Sequence, residues 1–360
     1  MSGHTPAHSS VREWLETQEH TLLSSFATLS DAVQRDRPEP ESPVRTRFQR
    51  DRDRILHSKP FRRLKHKTQV FIAPTGDHYR TRLTHTLEVT QIARTVARAL
   101  RLNEDLVEAI GLGHDLGHTP FGHAGETALS KVLGHSFRHN EQSLRIVEVL
   151  EKQGRGLNLT YPVREGIFMH SKGRRGITAK AWGTASTLEG QIIKIADSIA
   201  YINHDIDDAI RAGVLDRGDL PCEPIEILGA THSQRINTMV CDLIDYNWWI
   251  TGDGTPPDPL ELSLSPPILA STNALREFMY QNVYLDSKAK LDDGKVKVMI
   301  EMLFRHFLEH PEELPADLQQ INRDRGEPIT RAVIDYIAGM TDRYAIETFK
   351  KLYVPTTWNG

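Results

Sequence analysis

Residues 111–126 read Gly-Leu-Gly-His-Asp-Leu-Gly-His-Thr-Pro-Phe-Gly-His-Ala-Gly-Glu, sixteen positions holding three histidines, one aspartate, one glutamate and five glycines. Widening the window to 114–139 takes in five of the chain's seventeen histidines. Histidine and glycine both hold a helix poorly, so a purely structural segment gains little from this composition. Neutral imidazoles interleaved with carboxylates suit a site that converges on a cation or a reacting phosphate. These residues are the first candidates for chemistry, and other elements must position them.

The spacing predicts a helix over 82–101 in which His85, Val89, Ile92 and Val96 form one stripe, placing His85 on the buried face. A second helix over 104–115 carries Val107, Ile110 and His114 on one side, with Gly111 and Gly113 open to close approach by a neighbour. It is expected to stop at 117–119, with Thr119 as N-cap and Pro120 as the first residue of a further helix. On that helix His123 and Glu126 stand at i and i+3 and share a face. A short helix near 140–152 precedes a glycine-rich loop. The longest helix is expected at 186–212, opened by a Ser186/Glu189 capping box and closed by Gly213. Along it Asp197, Tyr201 and Asp205 form a polar line flanked by Ile193, Ile195, Ile199 and Ile206. An aspartate inside so apolar a helix is costly to bury without a partner, so a partner must exist.

Further helices are expected at 11–25, 228–248, 272–285, 294–309 and 328–350, with proline-rich loops at 216–225 and 251–268. No strand-period alternation of any length and no internal repeat occurs, so the fold class is all-α. The expected organisation is a flexible or helical segment over 1–44, a helical core over 45–215 and C-terminal helices over 216–360 packed on it.

Three separate helices thus each offer a ligand: His85, the adjacent His114 and Asp115, and Asp197. Two imidazoles and two carboxylates suit a divalent metal, with coordination positions left for water or substrate. Just ahead of them, residues 45–67 hold ten Lys or Arg against Asp51 and Asp53, a local charge of +8 in a chain of net charge −4. That stretch reads either as an ion-paired helix face or as an anion site for a polyphosphate, with its position favouring polyphosphate. With 360 residues, 39 % hydrophobic and 26 % charged, the composition is ordinary for a globular protein. Cys222 and Cys241 are too few for a disulfide framework and point to a reducing compartment. No apolar run is long enough for a membrane span, and the N-terminus lacks a signal core, so a cytoplasmic location is expected.

A His, a later His-Asp pair and a distant Asp, all on helices, resemble the signature of the HD phosphohydrolase superfamily. Residues 51–70, 82–89, 111–126, 196–205 and 335–345 are similar to the deoxynucleoside triphosphate triphosphohydrolases, in particular the bacterial dGTPase-like group. The resemblance implies an HD-domain helical core and hydrolysis of a dNTP to a deoxynucleoside and tripolyphosphate. It places the metal ligands at His85, His114, Asp115 and Asp197, with Mg or Mn the first expectation and Fe, Ni, Co or Zn compatible. It makes His123 and Glu126 catalytic, with Glu126 holding His123 as the proton donor to the departing sugar oxygen. It sets Gln69 at the deoxyribose, Arg82 and His118 at phosphates, Tyr201 under the sugar and Asp205 at the 3′-hydroxyl. The implied partners are a dNTP substrate, further copies of the chain, and an effector nucleotide or single-stranded DNA, with no membrane. Two other readings remain open. One is a different HD activity on nucleotides, as phosphatase or phosphodiesterase, and the other is a nucleic-acid-binding regulatory protein.

Overall fold

Hydroxyl and amide side chains start the helices that matter. Thr81 accepts from the Thr84 amide at the head of one, Asn103 accepts from the amides of Asp105 and Leu106 at the next, and Thr187 accepts from Gly190 at the longest. The computed structural model describes residues 10–69, 80–171, 183–284 and 293–355. Residues 1–9 of the expected N-terminal segment lie outside them. In order the helices are α1 (Val11–Leu22), α2 (Arg47–Leu56), α3 (Lys59–Arg63), α4 (Arg82–Ala99), α5 (Glu104–Gly113), α6 (His123–Leu133), α7 (His139–Arg145), α8 (Glu151–Gly154) and α9 (Tyr161–Met169). They continue as α10 (Leu188–Arg211), α11 (Cys222–Leu228), α12 (His232–Tyr246), α13 (Pro266–Met279), α14 (Asp293–Glu309), α15 (Ala316–Arg325), α16 (Ile329–Ala338) and α17 (Asp342–Tyr353). Among the described residues there is no strand, and one isolated antiparallel bridge joins Thr68 to Thr81. The fold is all-α. No helix among these residues is long and apolar enough to cross a membrane.

The main core runs through α2, α4, α5 and α9 to α13, and a second joins α6 to α14, α16 and α17. α10 lies against α4, α5 and α9, so the helices carrying His85, His114 and Asp197 are direct neighbours. Ile192, Ile193, Ile199 and Ile206 are fully buried along α10. Each contributes about 1.5–3 kcal/mol by leaving water, which keeps the polar line of that helix in register with α4.

Several local expectations are overturned by longer-range contacts. Thr119 and Pro120 do not start a helix: α6 begins at His123, after Phe121 and Gly122, which both have positive φ (61° and 52°). Two successive residues at positive φ cannot continue a right-handed helix. The Phe121 amide donates to Asp342 Oδ1 at 2.9 Å, and the Thr119 hydroxyl donates to the Gly122 carbonyl at 2.8 Å, so the turn is held from both sides. Glu189 is not a capping partner of Ser186. It is buried and accepts from the Thr28 amide and hydroxyl and from the Asn103 amide, which leaves Thr187 as the cap. Pro266 and Pro267 begin α13 rather than ending a loop, and Cys222, Glu223 and Pro224 open the short α11. The helix expected over 328–350 is two helices, α16 and α17, parted where Gly339 ends one and Thr341 caps the next.

One glycine is required by packing. A Cβ on Gly117 would lie 2.2 Å from the His139 carbonyl oxygen and from the Ser143 amide nitrogen. Ser143 in α7 uses that closeness, accepting from the Gly117 amide and donating to the His114 carbonyl, each at 2.8 Å. α7 is thereby clamped onto the turn that follows His114 and Asp115.

Candidate active site

His85 and Asp197 meet across α4 and α10, with Nε2 and Oδ1 3.2 Å apart. His114 donates from Nδ1 to the Gly111 carbonyl at 2.6 Å, so its other nitrogen carries the lone pair. That Nε2 lies 3.4 Å from Asp115 Oδ1. The ligand atoms of His85, His114 and Asp115 all fall within 4.8 Å of one another. Four residues separated by as many as 112 positions are thus gathered in one place, the juxtaposition that three helices with buried polar faces require. His85 Nδ1 and His114 Nε2 are buried without a hydrogen-bond partner among the described residues. Orphaned imidazole nitrogens beside two carboxylates are what a cation would satisfy, and the donor set fits a divalent metal. Burial alone would raise the Asp115 pKa, yet His114, His118 and Arg82 outweigh it and hold the group well below the carboxylate range. Burial pushes His114 down and keeps it neutral, the form that binds metal.

Beside this cluster lies an array of imidazoles around Glu126. The Glu126 carboxylate meets His118 Nδ1 at 2.8 Å and His139 Nδ1 at 3.1 Å, and the two rings stack with centroids 3.8 Å apart. The hydrogen bonds of Glu126 thus go to His118 and His139 rather than to His123, on which it acts by its charge. The glutamate turns inward to two buried or half-buried imidazoles, while His123 at the head of α6 opens into the cavity. Desolvation by the surrounding walls, opposed by Glu126, still holds the His123 pKa below the usual value. Burial, Arg82 and His139 together take His118 down to about 4. Burial also opposes charge on His139, but Glu126 outweighs it and raises that pKa.

A cavity of about 310 Å³ opens onto both groups, within the range of small-molecule sites. Gln69, Arg82, His118 and Tyr201 all line it, as sequence expectation requires of substrate contacts. The buried Gln69 Oε1 has no hydrogen-bond partner among the described residues. Arg82 is already engaged, its Nη1 donating to Asp115 Oδ2 at 2.9 Å. Asp205 does not line the cavity. It sits one turn deeper, fully buried, and accepts from the Tyr201 hydroxyl. Spacing gives no role to His139 and His170, to Arg276 and Glu277 of α13, or to Tyr280 just past its end, all of which line the same cavity. The density of histidines over 114–139 was the one available signal for His139, and nothing in the periodicity singles out the other four.

Comparison with known proteins identifies the family. Residues 82–202 match the HD domain, and residues 262–351 match the phosphohydrolase-associated domain. A deoxyguanosinetriphosphate triphosphohydrolase-like protein of Caldanaerobacter subterraneus is 55 % identical over 97 % of this chain and 97 % of its own length. Proteins of the same description from Desulfatibacillum aliphaticivorans and Clostridium perfringens are 46 % and 48 % identical, each over 96 % of this chain and at least 98 % of their own. The chain belongs to the deoxyguanosinetriphosphate triphosphohydrolase-like family. It is a phosphohydrolase of the HD class, a class that binds divalent metals. In this family member the HD segment carries all four metal-ligand candidates, while the associated segment supplies Asp342 and the α13 wall of the cavity.

The +8 stretch divides between its two readings. Arg45, Arg47, Arg50, Arg52 and Arg54 are ion-paired with Asp53, Glu41, Glu39 and Glu108. Lys59, Arg62, Arg63 and Lys67 instead line a second cavity of about 650 Å³ with Lys152, Tyr336 and Tyr344. Lys67 is buried between the sites, donating to the carbonyls of His118 and Ala338, and burial with Arg63 nearby lowers its pKa to about 7.

Proposed function

We propose that the chain hydrolyses deoxynucleoside triphosphates to the deoxynucleoside and inorganic tripolyphosphate. The observation that carries this reading is a single cavity whose wall presents His85, Asp115 and Asp197 beside His118, His123 and His139, with Tyr201 among them. The names of the family's relatives support the substrate class. A divalent cation, Mg or Mn first, held by His85, His114, Asp115 and Asp197 would polarise the α-phosphoryl group and activate water. Every other task falls to side chains. Arg82 and His118 stand beside Asp115 where the phosphates must lie. Expelling a sugar 5′-oxygen requires a proton, and His123 is the imidazole open to the cavity. The negative charge of a triphosphate raises the His123 pKa, so the acid forms as the substrate arrives. Glu126 holds His118 and His139 by hydrogen bonds, and its charge favours the protonated form of His123 without touching it. Tyr201, anchored by Asp205, forms a rigid wall under the sugar that leaves no place for a 2′-hydroxyl. Arg276, Glu277 and Tyr280 supply the polar edge and aromatic face that a nucleobase needs. The reading extends to an oligomer of this chain and to an anionic effector, a nucleotide or single-stranded DNA, with the basic cavity at Arg62, Arg63 and Lys67 as its place.

The test is a panel of dNTPs supplied singly and in pairs with Mn or Mg, the products being resolved by ion exchange. Deoxynucleoside with tripolyphosphate is expected, and faster turnover of a mixture than of its members reports the effector. Deoxynucleoside monophosphate with pyrophosphate, or diphosphate with phosphate, would overturn the bond assignment. Turnover of monophosphates alone would replace the reading with another HD activity, and salt-sensitive DNA binding without turnover would replace it with a regulatory one.

A further inference from the structure

We propose that Lys67 is a positioning residue: its side chain ties the turn carrying His118 to the end of α16 and so sets where His118 meets the phosphates, a role that rests on the reading of His118 as a phosphate contact. Lys67 is 2 % exposed, and its Nζ donates to the His118 carbonyl and, at 2.9 Å, to the Ala338 carbonyl. An apolar chain of the same length would be cheaper to bury here, so what the amine adds is its donors. The charged form has three N–H groups and the neutral form two, so both carbonyls stay bonded in either form. The main chain of the same residue reaches a third element. The Lys67 carbonyl accepts from the Arg82 amide at 3.1 Å, at the head of α4. One residue therefore touches the first turn of α4, the turn that follows α5 and the last residue of α16.

Lys67 belongs to neither of the matched segments, 82–202 and 262–351, yet its Nζ joins a carbonyl from each. The end of α16 leaves carbonyls without helical donors, and the basic stretch supplies them. Lys67 serves Ala338, and Arg63 Nη1 serves Gly339 at 3.0 Å. Cations there also meet the negative end of the helix dipole. This use of the +8 stretch is neither ion pairing nor anion binding. On the other side, the His118 ring lies 3.1 Å from Asp115 Oδ1 and 2.8 Å from Glu126 Oε1, and it stacks on His139. A ring so confined follows its own backbone, and its carbonyl is the point that Lys67 holds. Ser143 anchors the same turn at Gly117 and Asp342 anchors it at Phe121, so Lys67 supplies the hold between them. The competing role makes Lys67 only one cation of the basic cavity that it lines. The two roles differ in what an apolar side chain would do to the turn when no nucleotide is present.

Lys67→Met nearly keeps the length and removes the donors. In full-length, metal-loaded, nucleotide-free protein it is expected to speed amide exchange over residues 116–122 about 10-fold while α10 exchanges as in the wild type. Metal content is expected to stay at the wild-type level, and kcat/KM for the nucleotide hydrolysed falls about 10- to 100-fold with a rise in KM. A mere loss of folded enzyme would lower kcat with KM unchanged. Lys67→Gln keeps two N–H donors on a chain one atom shorter, so it holds one carbonyl and is expected to give values between the other two. Wild-type exchange and KM in Lys67→Met would overturn the proposal and leave Lys67 as cavity wall. Lys67→Gln no better than Lys67→Met would overturn the part played by the donors. Should Lys67→Met not fold, wild-type exchange and KM in Lys67→Gln overturn the proposal equally. A wild-type protein that hydrolyses no nucleotide would refute the proposed function, while the exchange measurement still decides what Lys67 holds.

Discussion

Asp197→Ala is expected to lose the cation shared with His85 and His114 and, with it, nucleotide turnover down to background. Asp197 stands in the middle of α10, its Oδ1 3.2 Å from His85 Nε2, and is one of the two carboxylates, with Asp115, beside the His85 and His114 rings. Removing it halves the negative charge available to the cation, and catalysis that depends on the metal falls with occupancy. The companion variant separates binding from chemistry. His123→Ala touches no member of the cluster, so it is expected to keep the wild-type metal content while kcat falls about 10²–10⁴-fold, the usual worth of a positioned general acid. KM is expected to change little, because the proton is transferred only as the bond breaks. Metal analysis and steady-state kinetics on both variants check this. An Asp197→Ala protein with full metal and wild-type kcat would remove Asp197 from the site, and a His123→Ala protein at wild-type rate would remove His123 as the acid.

What the chain reveals without its structure is set by whether a contact is written in one helix or in several. The stripe of His85, Val89, Ile92 and Val96 lies inside one helix and reports its own burial, so α4 and its histidine are legible. The same holds for Asp197, Tyr201 and Asp205 on α10. Glu189 shows the opposite case: the capping-box pattern is present, but Thr28 and Asn103 from distant segments offer donors that Ser186 does not, and the tertiary bonds win. The inward turn of Glu126 is of this kind, because His139 comes from α7 and reaches it only through the Gly117 and Ser143 clamp. His139 and His170 sit at the start of one short helix and just past the end of another, where no periodicity marks a shared face. The basic stretch was ambiguous for a related reason. Its arginines find carboxylates brought from 39–53 and 104–108, while Arg62 and Arg63 face a cavity closed by α15 to α17.

Asp342→Ala is expected to act on the site from outside it. This residue opens α17, far along the chain from any ligand candidate, yet its carboxylate accepts the Phe121 amide and the Thr68 amide, each at 2.9 Å, and the Thr68 hydroxyl as well. Phe121 is held at a φ of 61°, which a bulky L residue does not keep unaided. Removing the carboxylate strands two buried or half-buried amide donors, each at a cost of about 1–3 kcal/mol, so the melting temperature falls. The freed turn shifts Gly122 and His123, and Thr68 adjoins Gln69 on the cavity wall. Displacing an acid by about 1 Å is worth about 10² in rate, so kcat falls on that order while metal content stays at the wild-type level. Asp342→Asn keeps one carbonyl acceptor and is expected to recover part of both losses. A melt, a metal analysis and a kcat measurement on the two variants suffice, and wild-type values for Asp342→Ala in all three would sever the C-terminal helices from the chemistry. The expected pattern, metal retained but turnover lost, would make the phosphohydrolase-associated segment a part of the catalytic apparatus: Asp342 would set the backbone from which His123 is presented, while the HD segment would hold the cation without aiming that side chain.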